Sequence, residues 1–263
     1  MTARSGAPAE TASRPASVAG RLMAIINCFT GQDPALTLAE LQDRTGLPRS
    51  TVHRLAQELL DWGGLERAPG GHYRVGLRLY ELGMMAPRQR RLRELALPVM
   101  EDLYLATGDN VHLGVLDGTQ VLVVEKVTGL HSARAPSSPG GRLPLHATAI
   151  GKALLAFSPA SMIDQVIASG LEAFTDWTIT DGELLADDLA RTRERGYAVA
   201  YQERSWGTAS VSAPILDVHD AAVAALSVVG DKDRMNVEAV ATAVCSVAFM
   251  LGHELAGVTR PPA

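Results

Sequence analysis

Four polar side chains recur at helical spacing within GLPRSTVHRLAQEL, residues 46–59. In a helix over 49–60, a turn of 100° per residue places them on one face, opposite an apolar stripe. Hydroxyl and guanidinium groups bind phosphates, and Arg, Gln and His also hydrogen-bond base edges in the major groove of DNA. This polar face therefore predicts a DNA contact, with a merely solvated helix face as the alternative. Its members are Ser50, His53, Arg54 and Gln57.

The elements before this face have the spacing of a helix-turn-helix. Thr37-Leu-Ala-Glu40 is a capping-box pattern, which predicts a helix that starts at Leu38 and stops at Gly46. Pro48, whose φ is already near the helical value, is well placed to open the next helix. In a helix-turn-helix the second helix enters the major groove, so residues 49–60 form the predicted recognition helix. A further amphipathic helix is predicted over 17–30.

A hairpin is predicted directly behind the recognition helix. Residues 65–76, LERAPGGHYRVG, hold two short extended pieces around a Pro-Gly-Gly turn. A hairpin in this position is the wing of a winged helix, and its basic side chains predict further phosphate contacts. The predicted DNA-binding residues are Arg49, Ser50, Thr51, His53, Arg54, Gln57, Arg67, His72 and Arg74.

The charge is distributed unevenly along the chain, whose net charge is −5. Residues 1–93 contain 13 arginines and no lysine against 8 acidic residues, whereas residues 94–263 contain 11 Lys and Arg against 21 acidic residues. This asymmetry predicts an anionic partner for the front part of the chain only. Arginine suits two-pronged contacts to phosphate and guanine.

The remaining pattern predicts an α+β fold. Residues 1–16 are rich in Ala, Pro and Ser without periodicity and predict a disordered tail. A helical linker is expected over 77–93, from helices at 77–85 and 91–106. Alternating residues then predict two hairpins of an antiparallel sheet, with helices across one face. The predicted strands are 111–115, 121–127, 209–216 and 222–230, and the predicted helices are 146–157, 161–169, 181–195 (opened by a capping box, Thr180 to Glu183) and 237–255.

Several kinds of site have no support in the residues. Cys28 and Cys245 lie far apart, and the histidines form no HExxH, so no metal or cofactor is expected. Gly151-Lys152 resembles the end of a phosphate loop, but Ala153 replaces the Ser or Thr that would hold magnesium. The longest apolar run, residues 239–252, is too short to span a bilayer, so no membrane insertion is expected. The two distant cysteines suggest no disulfide framework, which fits a reducing cytoplasm.

Four segments resemble the IclR family of bacterial transcriptional regulators. They are GLPRSTVHRL, the predicted wing, LPLHATAIGKALLA at 143–156 and GYAVAYQERSWGTASVSAPILD at 196–217, and the resemblance runs over residues 17–256. It implies a winged helix (17–76), the linker, and an effector-binding domain related to GAF domains (94–257). It also implies a homodimer or homotetramer that binds a palindromic operator in double-stranded DNA and responds to a small molecule. A metabolite-processing enzyme with an N-terminal assembly domain is the alternative.

The resemblance also implies the effector pocket. Ala200 stands where the family pattern has Asp or Ser, which leaves an apolar lining with Ser210 and Ser227 as its two hydroxyls. Because a small keto acid would find few hydrogen bonds there, a largely apolar or aromatic effector is expected. The residues carried over are Leu143, Ala149, Ile150, Ala200, Thr208, Ser210, Ser227 and Val229.

Overall fold

The structure, a computed structural model, describes residues 17–31, 33–129 and 137–257. The chain divides into two compact units after Ala86. The expected helical linker, 77–93, extends across this division, and its boundaries stay a prediction. The expected disordered tail, residues 1–16, lies outside the described residues.

The first unit is a winged helix. The predicted capping box is present: Thr37 Oγ1 accepts from Glu40 N at 3.2 Å, and Glu40 Oε2 accepts from Thr37 N at 2.7 Å. Gly46, at φ +64°, ends the second helix in the left-handed conformation that glycine adopts without strain. The elements are α1 (Val18–Ile26), β1 (Ala35–Leu36), α2 (Leu38–Thr45), α3 (Arg49–Trp62), β2 (Leu65–Arg67), β3 (Tyr73–Val75) and α4 (Leu77–Met84).

Helix α3 buries its apolar face, as its spacing predicts. Leu55 and Ala56 are fully buried, together with Val52 and Leu59 on the same stripe. The predicted hairpin forms between β2 and β3, and β3 also pairs with β1 in an antiparallel three-stranded sheet. Strand β1 was not predicted, because two residues are too few to show a period. The polar face of α3 is thus held outward by its buried opposite face.

The second unit is built on one antiparallel sheet of strand order β6-β5-β4-β9-β8-β7. Both predicted hairpins are confirmed, as β4 with β5 and β8 with β9. The short strands β6 and β7 were not predicted. The elements are α5 (Pro87–Thr107), β4 (Asn110–Asp117), β5 (Gln120–Val127), β6 (Arg142–Pro144), α6 (Ala149–Ala156), α7 (Ala160–Ala168), α8 (Gly182–Arg195), β7 (Ala198–Tyr201), β8 (Thr208–Leu216), β9 (Ala222–Asp231) and α9 (Val237–Gly257).

Helices cover both faces of this sheet, so the expectation of one covered face is wrong. Helices α5 and α9 pack on one side, where Leu113, Val211 and Leu226 are buried. Helices α6 and α8 lie on the other side, against Val123 and Ala225. The alternation of residue types could not predict the second covered face. Residues on both faces of β4, β8 and β9 are buried, including small and polar residues that a one-sided sheet would expose.

The start of α8 also differs from the prediction. Its N-cap is Asp181 rather than Thr180: Asp181 Oδ1 accepts from Glu183 N at 2.9 Å and from Leu184 N at 3.0 Å. One carboxylate oxygen therefore satisfies two backbone donors of the first turn, which displaces the threonine from the capping role.

Helix α9 is, among the described residues, the one helix long and apolar enough to cross a membrane by length and composition. The helix begins before the apolar run at 239–252 and ends after it, so it is 21 residues long. Its buried residues, Val244 and Ala248 among them, pack in the core formed with β8. At Gly252 an added Cβ would lie 2.7 Å from the carbonyl oxygen of Leu216, so the helix lies directly against the strand. Core helices often meet the same length and composition criteria.

Candidate functional site

The polar face of α3 is exposed to solvent. Arg49, Ser50, His53, Arg54 and Gln57 are all exposed, whereas Thr51 is half-buried at the edge of this face. One helix therefore brings the predicted base-contacting side chains to a single surface of the first unit. Contact with DNA stays a prediction.

Two of these side chains already bind acidic neighbours. Arg54 Nη1 lies 2.5 Å from Glu58 Oε1, and Gln57 Nε2 donates to Asp61 Oδ1 at 2.8 Å. Glu58 lies one helical turn after Arg54, so an acidic side chain borders the polar face before Asp61. An exposed pair of this kind contributes only about 0–1 kcal/mol, so a base or phosphate can replace the carboxylate.

The wing arginines have local partners too. Arg74 Nε lies 2.7 Å from Glu66 Oε1 on the neighbouring strand. Arg67 Nη1 donates to Gly71 O at 3.1 Å, and its guanidinium carbon lies 4.2 Å from the centre of the Tyr73 ring. The half-buried His72 places Nδ1 3.3 Å from the carbonyl oxygen of Pro69. The wing thus presents two arginines, of which Arg67 is oriented by an aromatic ring.

A cavity of about 50 Å³ lies in the second unit between the sheet and the start of α6. All eight residues that the resemblance assigned to an effector pocket line it, although they come from five separate segments of the chain. Ala149 and Ile150 lie in the first turn of α6, and Ser210 is paired with both Ala200 and Val229 across neighbouring strands. This geometry brings them together, and their binding of an effector stays a prediction.

Local contacts explain why α6 begins beside the cavity. The N-cap is Thr148, whose Oγ1 accepts from Gly151 N at 3.1 Å and donates to Pro144 O at 2.8 Å. A Cβ at Gly151 would lie 2.5 Å from the Cα of Leu145, so only glycine allows this close approach of helix and preceding segment. Both features belong to the segment LPLHATAIGKALLA.

Lys152 forms a buried ion triad that the sequence did not reveal. Its side chain is 1% exposed, and Nζ donates to Glu203 Oε1 at 2.7 Å and to Asp188 Oδ2 at 2.8 Å. The lysine therefore serves inside the protein and not in a phosphate loop. A charged residue within an otherwise apolar helix was the available signal, but the spacing does not identify its partners.

The cavity lining is more polar than expected. The expectation that Ser210 and Ser227 are its two hydroxyls is wrong, because segments not included in the prediction also reach the cavity. The additional polar lining residues are His112, Ser137, Thr148, Glu203, Arg204 and Ser205, and the predicted Thr208 adds a further hydroxyl.

Burial changes the ionisation of three of these groups. Desolvation lowers the pKa of His112 to about 3, assisted by the positive charge of Lys126, and His112 Nε2 lies 3.0 Å from Ser137 Oγ. Burial raises the pKa of Glu203, against the opposing effect of Lys152. Burial also lowers the pKa of Arg204. At neutral pH the histidine is therefore an uncharged hydrogen-bonding group.

Within residues 17–31, 33–129 and 137–257, no group of three or more His, Cys, Asp or Glu side chains is placed to hold a metal ion. Cys28 and Cys245 are both free thiols. Burial raises the pKa of each thiol above its ordinary value, so both cysteines are protonated at neutral pH.

Each of the two units matches a known protein-family model. Residues 18–69 match the model of the IclR helix-turn-helix domain, and residues 85–248 match that of the bacterial transcriptional regulator IclR C-terminal domain. The chain is 35% identical to the HTH-type transcriptional regulator KipR of Bacillus subtilis, over 81% of this chain and 85% of that protein. It is 30% identical to the transcriptional repressor IclR of Escherichia coli, over 82% and 80% of the two chains.

Among solved structures, an IclR homologue from Microbacterium hydrocarbonoxydans complexed with 4-hydroxybenzoate superposes with a TM-score of 0.85. Its identity to this chain is 30%, and the match covers 91% of this chain and 99% of the other. These relatives are named as transcriptional regulators rather than enzymes, which favours a regulator over the enzyme alternative. Because its N-terminal part matches the IclR helix-turn-helix domain and its C-terminal part matches the IclR C-terminal domain, the chain belongs to the IclR family of helix-turn-helix transcriptional regulators.

Proposed function

We propose that this protein is a one-component regulator of the cytoplasm, whose winged helix binds a palindromic operator and whose second unit binds a small effector that changes operator affinity. The observation that carries the proposal is the cavity at the start of α6, on which all eight expected effector residues converge. The exposed polar face of α3 supplies the groups that read DNA.

The effector is an aromatic compound in this proposal. Leu143, Ile150 and Val229 provide apolar walls for a ring, and burial of a ring contributes about 25 cal/mol per Å² of apolar surface. The relative from Microbacterium hydrocarbonoxydans was solved with an aromatic acid, 4-hydroxybenzoate. A cavity of about 50 Å³ is smaller than the roughly 150 Å³ that holds benzene in an engineered protein core. Binding of a ring therefore requires the cavity to widen, which gives the ligand a conformational change to drive.

The test has two stages. Selection from a random duplex library yields the operator, and fluorescence anisotropy measures its affinity with and without a panel of aromatic compounds. We expect at least one compound to change operator affinity about 5- to 150-fold, the usual range of allosteric coupling. An operator affinity that no aromatic compound changes, although the compounds bind, would contradict the proposed regulation.

Arg54→Ala should weaken operator binding by about 1–3 kcal/mol and relax specificity at one or two base pairs, because a bidentate base contact is lost. Anisotropy titrations against the selected operator and single-base variants of it would measure both effects. Glu58→Gln is the matched change on the same face: it removes the competing carboxylate and should leave operator affinity equal or higher. Unchanged binding by Arg54→Ala would show that α3 does not read bases through this residue.

The wing variants Arg67→Ala and Arg74→Ala provide the contrast to Arg54→Ala. Because they remove phosphate contacts, we expect weaker binding to all sequences and a flatter dependence of affinity on salt.

We expect a homodimer or homotetramer in solution. Palindromic operators match two-fold protein symmetry, and the first unit exposes large apolar side chains on α4, with Leu77 66% and Tyr80 61% exposed. On α1, Met23 is also exposed. Native mass spectrometry at micromolar concentration measures the state directly, and a monomer that still binds the operator would contradict this expectation.

A further inference from the structure

Two adjacent residues of the cavity wall each hold a buried polar atom without a hydrogen-bond partner. These atoms are Glu203 Oε2 and Arg204 Nε, and both residues line the cavity. The third such atom among the described residues, Thr192 Oγ1, belongs to a helix residue that does not line it. Because buried polar groups are nearly always paired in folded proteins, two unpaired atoms of opposite charge character beside one cavity indicate a missing ligand.

The backbone around this pair is held firmly. Thr175 Oγ1 donates to Gln202 O at 2.7 Å, and Thr178 Oγ1 donates to Glu203 O at 2.6 Å. Gln202 itself has φ +56°, a left-handed conformation that such contacts stabilise. The loop between α7 and α8 therefore fixes the position of the two residues before any ligand binds.

The side chains are also oriented by contacts on their other atoms. Glu203 Oε1 accepts from Lys152 Nζ at 2.7 Å, so Oε2 is the oxygen left for a ligand. The guanidinium carbon of Arg204 lies 4.2 Å from the centre of the Phe174 ring, and this ring stacks on His146. Of the described residues that line the cavity, Arg204 alone is an arginine or lysine, and the histidine among them, His112, is uncharged at neutral pH.

The lining hydroxyls supply fewer donors than their number implies. Ser227 Oγ donates to Val211 O at 3.2 Å, and Thr208 Oγ1 donates to Ser205 O at 2.7 Å. Thr148 donates to a backbone carbonyl in the same way. These three hydroxyls have used their protons within the protein and can only accept from a ligand. Among the side chains that line the cavity, Arg204 is therefore the cationic donor for an anionic group.

We propose that Arg204 Nε donates a hydrogen bond to a carboxylate of the effector and that Glu203 Oε2 accepts a hydrogen bond from a hydroxyl or amino group at the effector's other polar position. The effector class is thus a hydroxylated or aminated aromatic carboxylic acid, an inference that rests on the proposed function of this cavity. Burial shifts the pKa of both side chains away from the charged form, and the charges of Lys152 and Glu172 oppose these shifts in part. A ligand with the complementary groups adds to that compensation. Lys152 is a positioning residue, since it acts on the effector through Glu203.

The test is calorimetry of the full-length protein with three probes: 4-hydroxybenzoate, benzoate and 4-hydroxybenzamide. In the parent protein, 4-hydroxybenzoate should bind about 10- to 100-fold more tightly than either analogue, because each analogue lacks one charge-assisted hydrogen bond. Arg204→Gln should weaken the binding of 4-hydroxybenzoate by about the same factor. The affinity of this variant for 4-hydroxybenzamide should stay within about twofold of the parent value. Arg142→Gln removes an exposed arginine paired with Asp117 and should leave all three affinities unchanged.

Glu203→Gln should abolish the preference for 4-hydroxybenzoate over benzoate while benzoate binding persists. The comparison of probes on the parent protein keeps the Glu203 assignment testable if this variant does not fold. Equal binding of 4-hydroxybenzoate by Arg204→Gln and the parent would overturn the assignment and leave the proposed function intact. Binding of 4-hydroxybenzamide to the parent protein as tightly as 4-hydroxybenzoate would do the same. If neither acids nor neutral aromatic compounds bind, the proposed effector function fails along with the assignment.

Discussion

Lys152→Met is expected to lower the free energy of unfolding of the second unit by about 3–5 kcal/mol, because it removes the buried cation that two carboxylates share. Glu203 is then left without a cation, and Asp188 keeps only the exposed Arg191, whose Nη2 lies 3.5 Å from Asp188 Oδ1. The lysine is 1% exposed, and its partners Asp188 and Glu203 have side chains that are only 13% and 9% exposed. Removal of one member of a buried ion pair costs far more than removal of all members, since the remaining charges cannot regain water.

Native-state hydrogen exchange of the amides in β8 and β9 measures this change in the second unit alone. Lys232→Met removes a lysine paired with Asp233 at the surface and should produce no measurable change. Adding Asp188→Asn and Glu203→Gln to the Lys152 variant should restore much of the lost stability, because no uncompensated charge remains. Equal protection in Lys152→Met and the parent would contradict the assigned role of the triad.

His112 is expected to cause a second large effect, a loss of folding stability at acidic pH. Its pKa is about 3 in the folded protein against an ordinary value of 6.5, so between these values only the unfolded chain binds the proton. The stabilising contribution is therefore complete above pH 6.5 and is lost as the pH falls towards 3. The slope approaches about 1.4 kcal/mol per pH unit, so the fall from pH 6.5 to 4.5 costs about 2 kcal/mol.

His112→Gln should flatten this dependence, because glutamine does not titrate and can still hydrogen-bond Ser137. Denaturant unfolding at a series of pH values compares the two slopes. Burial also lowers the pKa of His146, which acts in the same direction, whereas the raised pKa of Glu203 adds stability as the pH falls. The difference between variant and parent isolates His112, with His219→Gln, an exposed loop histidine, as the control. Identical slopes in parent and His112→Gln would refute the prediction.

Most local features of the winged helix could be read from the chain. The polar face of α3, the capping box at Thr37 and Glu40, and the left-handed stop at Gly46 all depend on residues within a few positions of one another. The two hairpins of the second unit followed from alternation and turn residues in the same way. For the cavity, the resemblance to a known family supplied what periodicity could not, namely eight of the residues that line it.

By itself, the sequence determined the type and position of the helices and long strands, because backbone geometry gives each a period of 3.6 or 2 residues. Only the tertiary structure decided which faces of the sheet are covered, which short strands join its edges, and which side chains meet around the cavity. Lys152 meets Asp188 and Glu203 across 36 and 51 positions, and the pairing of Glu203 Oε1 is what leaves Oε2 unpartnered. No spacing along the chain encodes such contacts, since they arise where packed layers exclude water and force buried charges to find one another.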